Sequence, residues 1–296
     1  MKRRFGDRKD GKKVRDLHGF QQIMLDIKPL RSNSDVFMNV EMDVTNLKKY
    51  VEKYKNENPD NKLTYFHAFS MALAKTCYNK PYMNRFICNR TYYQRDKVII
   101  GFVAKVEFTD DAEEAMMNLE VSPKDTVFDW RDKIVKRVKH IRDTKSMKNE
   151  TGQKSATNVI DTVGKLPGFI RIPIVGFLKW LDKHGWLPSF ICEDNIYYST
   201  AIVSNLGNFG IDSIYHNIVD FGTSSVLATF GNIHKSKVID ENGNEKIIDA
   251  CNFGINMDER IADGFYFAES LKLLQYIINN PKLLEGPADE KIEIKK

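Results

Sequence analysis

The stretch Thr64–Asn79, "TYFHAFSMALAKTCYN", constrains the fold of this chain more than any other. It carries apolar side chains on nearly every side, whereas a helix at a protein surface has one apolar stripe and one polar face. Pro81 marks its end. Such a helix must be covered on all sides, which predicts a domain with a helix in its interior. The composition, 42% hydrophobic and 29% charged over 296 residues, is that of an ordinary soluble globular protein.

Strand patterns lie on both sides of this helix. Residues Asp35–Thr45 alternate apolar and polar side chains, as a half-buried strand does, and a polar helix is predicted over Asn46–Asn56. After the buried helix, residues 84–108 predict a hairpin. Its turn is expected around Gln94, Arg95 and Asp96, and its second strand is rich in Val and Ile.

The last third of the chain is rich in strand patterns. A hairpin turn is predicted over Glu241–Asn244, and a closing helix over Glu269–Asn279. Strands therefore dominate both halves while buried helices fall between them. This order predicts an α+β fold with a large mixed β-sheet covered by helices.

The segment Val159–Ile191 is strongly apolar, but it is interrupted by Pro167, Pro173 and Pro188 and cannot form one long helix. A short amphipathic helix is predicted over Pro173–His184, with Gly185 just past its end. Two interpretations stay open. The segment packs on the domain or on a neighbouring subunit, or, with the basic helix Asp129–Lys148, it rests on a membrane surface or lines a cavity for an acyl chain.

Charge is unevenly distributed along the chain. The first 13 residues hold seven basic and two acidic side chains, which accounts for the whole net charge of +5. We predict a mobile basic tail over residues 1–14 and a charged tail over residues 286–296. Between them, residues 15–285 are predicted to form a single domain with an apolar insertion at about 155–192. A basic tail without interleaved aromatic residues argues against a nucleic-acid partner.

Cysteine usage and hydropathy indicate the compartment. The four cysteines are scattered, with no Cys-x-x-Cys pair and no histidine at ligand spacing, so we expect reduced core thiols and no metal site. No stretch approaches the roughly 20 apolar residues of a membrane span, and the N-terminus lacks the apolar core of a signal peptide. A cytoplasmic location is expected.

Five stretches, in order over about residues 15–285, resemble one family. The chain is similar to the catalytic domain of the dihydrolipoyl acyltransferases of 2-oxoacid dehydrogenase complexes, and more distantly to chloramphenicol acetyltransferase, which shares that fold. The stretches are "VFMNVEMDVTNLKKYV", "LTYFHAFSMALAKT", "MNRFICNRTYYQRDKVIIGFVAK", "AIVSNLGNFG" and "DERIADGFYFAESLKLL".

The resemblance assigns roles to three residues. In the family, a loop reads Asp-His-Arg-x-x-Asp-Gly, its histidine is the general base for a thiol that attacks a thioester, and a serine or threonine hydroxyl binds the oxyanion. Glu259 falls on that histidine, Ser204 on the serine, and Asp263 on the loop aspartate, which supports the loop through an ion pair. The family's arginine partner for this aspartate aligns with Met24 and Leu25.

The glutamate weakens the family chemistry. The pKa of a thiol, near 8.5, lies about two units above that of a histidine, near 6.5, and about four units above that of a glutamate, near 4.3. Proton transfer from the thiol is therefore less favourable to a glutamate than to a histidine. The difference is roughly 3 kcal/mol, or a factor of about 150. Burial can raise the pKa of a carboxyl group into range. Alternatively, Glu259 is a loop acid paired with Arg260 or a lysine, Ser204 only caps its turn, and Asp263 caps the following helix.

The resemblance implies a free-standing, CoA-dependent acyltransferase, because no lipoyl domain precedes the catalytic region. Acyl-CoA is the expected substrate, the acceptor stays open, and a homotrimer is implied, with the serine and the histidine position coming from different subunits. The alternative function is a catalytically silent relative that acts as a binding or scaffold protein. An open channel reaching Ser204 and Glu259 would favour the enzyme.

Overall fold

The architecture is a six-stranded mixed sheet covered by helices, with a small three-stranded sheet beside it. The computed structural model describes residues 3–105, 114–144, 160, 162–240 and 242–294. The strands are β1 Gly11–Lys13, β2 Asp35–Asp43, β3 Arg85–Cys88, β4 Thr91–Arg95, β5 Val98–Lys105, β6 Glu114–Val121, β7 Ala201–Asn205, β8 Val226–Ile239 and β9 Glu245–Asp258. The large sheet has the order β2-β9-β8-β7-β5-β6, and the small one β1-β4-β3. The predicted α+β class is confirmed.

The helices pack on this sheet. They are α1 Gly19–Ile27, α2 Thr45–Glu57, α3 Tyr65–Asn79, α4 Val127–Thr144, α5 Gly168–Lys183, α6 Ser189–Cys192 and α7 Gly264–Asn279. The interior helix predicted from Thr64 is α3, which Thr64 caps and in which every residue from His67 to Cys77 is buried. Phe69 packs against Phe230 and Phe253, at 4.8 and 4.9 Å between ring centres, and so joins α3 to the sheet.

The turn of the hairpin predicted for residues 84–108 was expected around Gln94, Arg95 and Asp96, and this position is wrong. The chain reverses at Asn89 and Arg90, with φ angles of 48° and 54°, and joins β3 to β4 in the small sheet. A two-residue turn of this kind needs positive φ at both positions, and asparagine tolerates it without a glycine. After Asp96 the chain enters the large sheet, where β5 runs parallel to β7.

Two helices begin earlier than predicted. Helix α5 starts at Gly168 and contains Pro173, which was expected at the first helical position. Pro173 lies inside the helix, where its missing N–H removes one backbone hydrogen bond. Gly185 follows the helix with a φ of +71°, as expected. The closing helix α7 begins at Gly264 rather than Glu269.

Neither end of the described chain is a loose tail. Residues 1–14 were expected to be mobile, yet β1 pairs with β4 within them, and Arg8 is buried against Asp10 and Asp182. At the other end, the buried Lys75 ammonium donates to the carbonyl oxygens of Gly286 and Pro287, at 3.1 and 2.6 Å. These carbonyls satisfy a cation that the fold has removed from water.

The cysteines are all free, and three of the four are buried. No helix in the described part of the chain has the length and apolar character to cross a membrane. Among the same residues, no group of three or more histidine, cysteine or acidic side chains could hold a metal ion. The end of the predicted basic helix, residues 145–148, and the start of the apolar segment, residue 159, lie outside the described residues.

Candidate functional site

The loop that resembles the family's catalytic loop starts at a buried ion-pair network. The Asp258 carboxylate, 1% exposed, accepts hydrogen bonds from the Nε, Nη2 and backbone N of Arg260, at 2.8, 2.7 and 3.1 Å. The Arg31 side chain lies 3.8 Å away and also pairs with Asp35. Two arginines and two carboxylates thus fix the end of β9 to the start of β2.

The same network holds the backbone of the loop. Arg260 donates from Nη1 to the carbonyl oxygen of Lys28 at 2.9 Å, and the Tyr92 hydroxyl donates to the carbonyl oxygen of Arg260 at 2.7 Å. The Arg260 guanidinium is therefore engaged by Asp258 and by the backbone. It does not pair with Glu259.

Glu259 pairs with a lysine instead. Its carboxylate accepts a hydrogen bond from the Lys28 ammonium, both side chains are about a third exposed, and its backbone N donates to Ser34 at 2.9 Å. An adjacent ammonium group favours the ionised, weakly basic form of a carboxylate. The arrangement corresponds to the alternative in which Glu259 is a loop acid held by a lysine, and it lacks the burial that could make the carboxylate a stronger base.

Asp263 ends the loop and begins α7. Its carboxylate accepts a hydrogen bond from the backbone N of Tyr266 at 2.8 Å, which is the geometry of an N-cap. The predicted capping role is confirmed. Among the described residues, no ion pair involves Asp263.

Ser204 lies in β7, directly before its last residue, and is partly exposed. In the parallel ladder it is level with Thr229 of β8, and within the described residues its hydroxyl makes no hydrogen bond. The following turn is tight, because a Cβ atom on Gly207 would come within 2.5 Å of the Gly231 carbonyl oxygen. This turn leaves the Ser204 hydroxyl available to a ligand.

Ser204 and Glu259 of one chain lie at opposite ends of the sheet. Ala201, Val226 and Met257 form one cross-strand row. Ser204 lies three residues from this row in one direction, and Glu259 lies two residues from it in the other. At about 3.3 Å per residue, the two are separated by roughly 16 Å along the strands alone. A single chain therefore does not bring them together.

A cleft of about 320 Å³ opens beside the loop. Its lining includes Asp258 and Arg260, but not Ser204. Arg90 and Lys183 also line this cleft, together with Asp182 and Asp220. Burial raises the pKa of the Cys88 thiol in the same cleft to about 12, so it is not a reactive nucleophile.

Sequence reasoning missed several residues of the site. Lys28, Tyr92 and Thr229 lie far from the loop in sequence, and no motif marks them. Arg31 could have been found, since it stands four residues before Asp35, with which it pairs. The sequence predicted Arg260 or a lysine as the partner of Glu259, and the structure shows that the partner is Lys28.

Comparisons with known proteins show which proteins this chain is similar to. Residues 192–285 match the family model for 2-oxoacid dehydrogenases acyltransferase (catalytic domain). A structure of a probable dihydrolipoamide acetyltransferase from Listeria monocytogenes is 17% identical, with a TM-score of 0.57, and the match covers 91% of this chain and 95% of that one. The dihydrolipoamide acetyltransferase of Azotobacter vinelandii is 13% identical, with a TM-score of 0.58 and coverage of 92% and 94%.

Chloramphenicol acetyltransferase also matches, at 10% identity and a TM-score of 0.53, over 91% of this chain and 98% of that one. The chain has the chloramphenicol acetyltransferase-like fold. The resemblance to the acyltransferase catalytic domains is thereby confirmed, with the family pattern itself restricted to the last third of the chain, which contains Ser204, Glu259 and Asp263. A search of curated proteins gave no match to the chain.

Proposed function

We propose that this chloramphenicol acetyltransferase-like chain transfers an acyl group from a CoA thioester to an acceptor, at a site shared between subunits. The observation that supports the proposal best is the separation of Ser204 and Glu259 within one chain. Ser204 falls on the family's serine and Glu259 on its histidine position, and the two residues can meet only if two chains contribute to one site. A homotrimer, as the family resemblance implies, would provide such a site.

The likeness to the Azotobacter enzyme supports this arrangement of roles. In that enzyme, a serine, a histidine and an asparagine were studied for their role in the catalytic mechanism. Its histidine and asparagine are four residues apart, as Glu259 and Asp263 are here. We therefore assign Glu259 the role of base in this proposal, and Asp263 the role of shaping the loop.

The proposed reaction runs in two steps. The Glu259 carboxylate accepts the proton of the acceptor's thiol or amine as that group attacks the thioester carbonyl carbon. The oxyanion that forms accepts a hydrogen bond from the Ser204 hydroxyl of the neighbouring chain. Collapse of the intermediate breaks the carbon–sulfur bond, and the CoA thiolate takes the proton from Glu259.

The Lys28–Glu259 ion pair favours a second candidate, a catalytically silent relative that binds a ligand or partner. An ionised carboxylate beside an ammonium group is a poor base for a thiol, as the roughly 150-fold loss relative to histidine indicates. In this alternative, the fold and the cleft remain while the chemistry is lost.

Turnover of acetyl-CoA and longer acyl-CoA thioesters, with thiol and amine acceptors, separates the two candidates. The proposal expects wild-type turnover that Glu259→Gln abolishes and that Ser204→Ala lowers by about 100-fold or more, as for the loss of an oxyanion donor. Absence of wild-type turnover, with activity appearing in Glu259→His, would overturn the enzymatic proposal and support the silent relative.

A further inference from the structure

The outward side of α5 and the segment after it expose large apolar side chains. We call this set the aromatic ridge: Phe169, Ile172, Phe177, Trp180, Trp186 and Phe190. Their exposed fractions range from 38% to 80%. Isolated exposed apolar residues are common, but a contiguous group of this size marks an interaction surface.

The ridge is held outward by a rigid attachment on the other side of the helix. Leu178 and Leu181 pack against a buried cluster formed by Leu187, Ile191 and Tyr198. Asp182 is buried and lies 3.5 Å from the Arg8 guanidinium, which also donates to the Asp182 carbonyl oxygen at 2.6 Å. Because α5 is anchored by this face, its opposite face must point away from the domain.

Three aromatic side chains of the ridge, Phe177, Trp180 and Trp186, form one connected group. Trp180 lies 6.0 Å from Phe177 and 5.5 Å from Trp186, measured between ring centres, and the His184 ring lies between the two indoles. Tryptophan has an apolar ring with one N–H donor, and it concentrates where hydrocarbon meets water, at the surface of a bilayer.

The exposed charged side chains of α5 have one sign. Arg171, Lys179 and Lys183 are exposed on α5. Between residues 162 and 192, the sequence contains a single acidic residue, Asp182, and that residue is buried in its ion pair. An exposed apolar face bordered by basic side chains is complementary to anionic lipid headgroups above an acyl layer.

We propose that the aromatic ridge binds the surface of an anionic lipid membrane, with α5 lying in the plane of the interface. The side chains of Lys179 and Lys183 are long enough to reach the headgroups while the rings enter the acyl boundary. The proposal is independent of the acyltransferase activity. It selects one of the two interpretations left open by the sequence.

Co-sedimentation with extruded vesicles tests this proposal. The full-length protein is expected to pellet with vesicles of phosphatidylcholine and phosphatidylglycerol, and less with phosphatidylcholine alone. Binding to the mixed vesicles should weaken as salt is raised, because salt screens exposed charges. Removing two ammonium groups, in Lys179→Gln with Lys183→Gln, should lower the partition coefficient roughly 30-fold, at about one kcal/mol per basic residue.

A matched pair of double variants separates the ridge from general surface hydrophobicity. Ile172→Ser with Phe177→Ser removes two ridge side chains, which should abolish pelleting. The control Ile239→Ser with Ile247→Ser removes two similarly exposed side chains, 74% and 69%, from the β8–β9 hairpin, and should pellet as the wild type does. Equal pelleting of the two double variants would overturn the proposal, as would a wild-type protein that stays in the supernatant.

Tryptophan fluorescence gives an independent measurement. Trp130 is buried and donates to the Ser70 hydroxyl, whereas Trp180 and Trp186 belong to the ridge. Anionic vesicles should shift the emission of the wild type to shorter wavelength, and Trp180→Phe with Trp186→Phe should remove the shift. Sedimentation equilibrium without vesicles tests whether the ridge is a contact between subunits. The double variant Ile172→Ser with Phe177→Ser should have the same mass as the wild type. A lower mass would overturn the membrane proposal and assign the ridge to a second copy of the chain.

Discussion

The Lys28 ammonium forms an ion pair with the Glu259 carboxylate, across the gap between the end of α1 and the loop after β9. Glu259 stands where the family has its histidine, so the ion pair engages the group that would act as the base. Proton transfer to the Glu259 oxygen that faces Lys28 requires the pair to open. The pair is a third exposed, so the cost of opening it is at most about 1 kcal/mol.

Lys28→Gln tests what the pair does. If Glu259 acts as a base, removal of the ammonium group should raise acyl transfer by at most about fivefold, since an exposed ion pair is worth up to about 1 kcal/mol. The measurement is kcat/KM with a saturating acceptor. Lys80→Gln, which removes an ammonium group from the end of α3, serves as the control. A large loss of activity in Lys28→Gln would show instead that Lys28 binds the substrate.

Mixing two inactive variants tests the shared site. Ser204→Ala and Glu259→Gln should each be inactive, but oligomers that contain both chains should form sites with one intact serine and one intact glutamate. After random exchange of subunits, about a quarter of the sites are intact. Recovery of about a quarter of wild-type activity after exchange is expected. Failure to recover activity, with exchange verified by mass spectrometry, would show that the two residues do not act across one interface.

The Asp258 network predicts a large effect on stability. Asp258→Asn leaves Arg260 and Arg31 buried beside a neutral side chain, and breaking a buried ion pair by removing one partner costs about 3 to 5 kcal/mol. Asp289→Asn is the control, because it removes an exposed ion pair with Lys124 that is worth about 1 kcal/mol at most. Urea denaturation at one protein concentration measures both. Equal losses for the two variants would contradict the structural role given to Asp258.

His67 predicts a pH dependence of stability. Burial, followed by the nearby charge of Arg131, lowers the pKa of this histidine to about 4, while an unfolded histidine titrates near 6.5. The folded state therefore keeps the His67 ring neutral. The contribution of this ring to the free energy of unfolding is fully present above pH 6.5 and is lost progressively down to about pH 4. The total loss is roughly 3 kcal/mol.

His67→Gln should remove this part of the pH dependence. Glutamine can still accept the hydrogen bond from the backbone N of Thr64 that the ring accepts at 3.2 Å. The free energy of unfolding, measured by urea at several pH values, should fall less steeply in the variant between pH 6.5 and 4. His18→Gln, which changes an exposed histidine at the start of α1, is the control and should follow the wild type.

The parts of the fold that sequence reasoning predicted are those that local pattern determines. The apolar pattern of α3 indicates a buried helix, and the alternating pattern of β2 indicates a half-buried strand. The predicted bounds of both elements lie within two residues of the observed bounds. The hairpin of β3 and β4 was misplaced because its turn uses Asn89 and Arg90 rather than a glycine pair. The two segments that were expected to be tails are folded because they contact residues that are distant in the sequence. Asp182 pairs with Arg8, and Lys75 donates hydrogen bonds to the carbonyl oxygens of residues 286 and 287. Such partners cannot be identified from the sequence.

The candidate site was predicted through the family resemblance and was incomplete. The loop residues were found because they are contiguous, and the cap at Asp263 follows from local chemistry. Lys28 lies 231 residues from Glu259 in the chain, so only the fold reveals their contact. The distance between Ser204 and Glu259 follows from strand order, which depends on long-range pairing rather than on any local pattern.

We expect that the turn after Ser204 tolerates no residue larger than glycine at position 207. A Cβ atom there would lie 2.5 Å from the backbone carbonyl oxygen of Gly231, so Gly207→Ala must displace the turn, at a cost of about 1 to 3 kcal/mol. Gly176→Ala is the control, since its Cβ atom meets nothing within 4 Å and alanine is the better helix former by up to about 1 kcal/mol. Urea denaturation should show opposite signs for the two variants. Because the Ser204 hydroxyl moves with the turn, acyl transfer should fall in Gly207→Ala alone; unchanged activity there would argue that Ser204 does not bind the oxyanion.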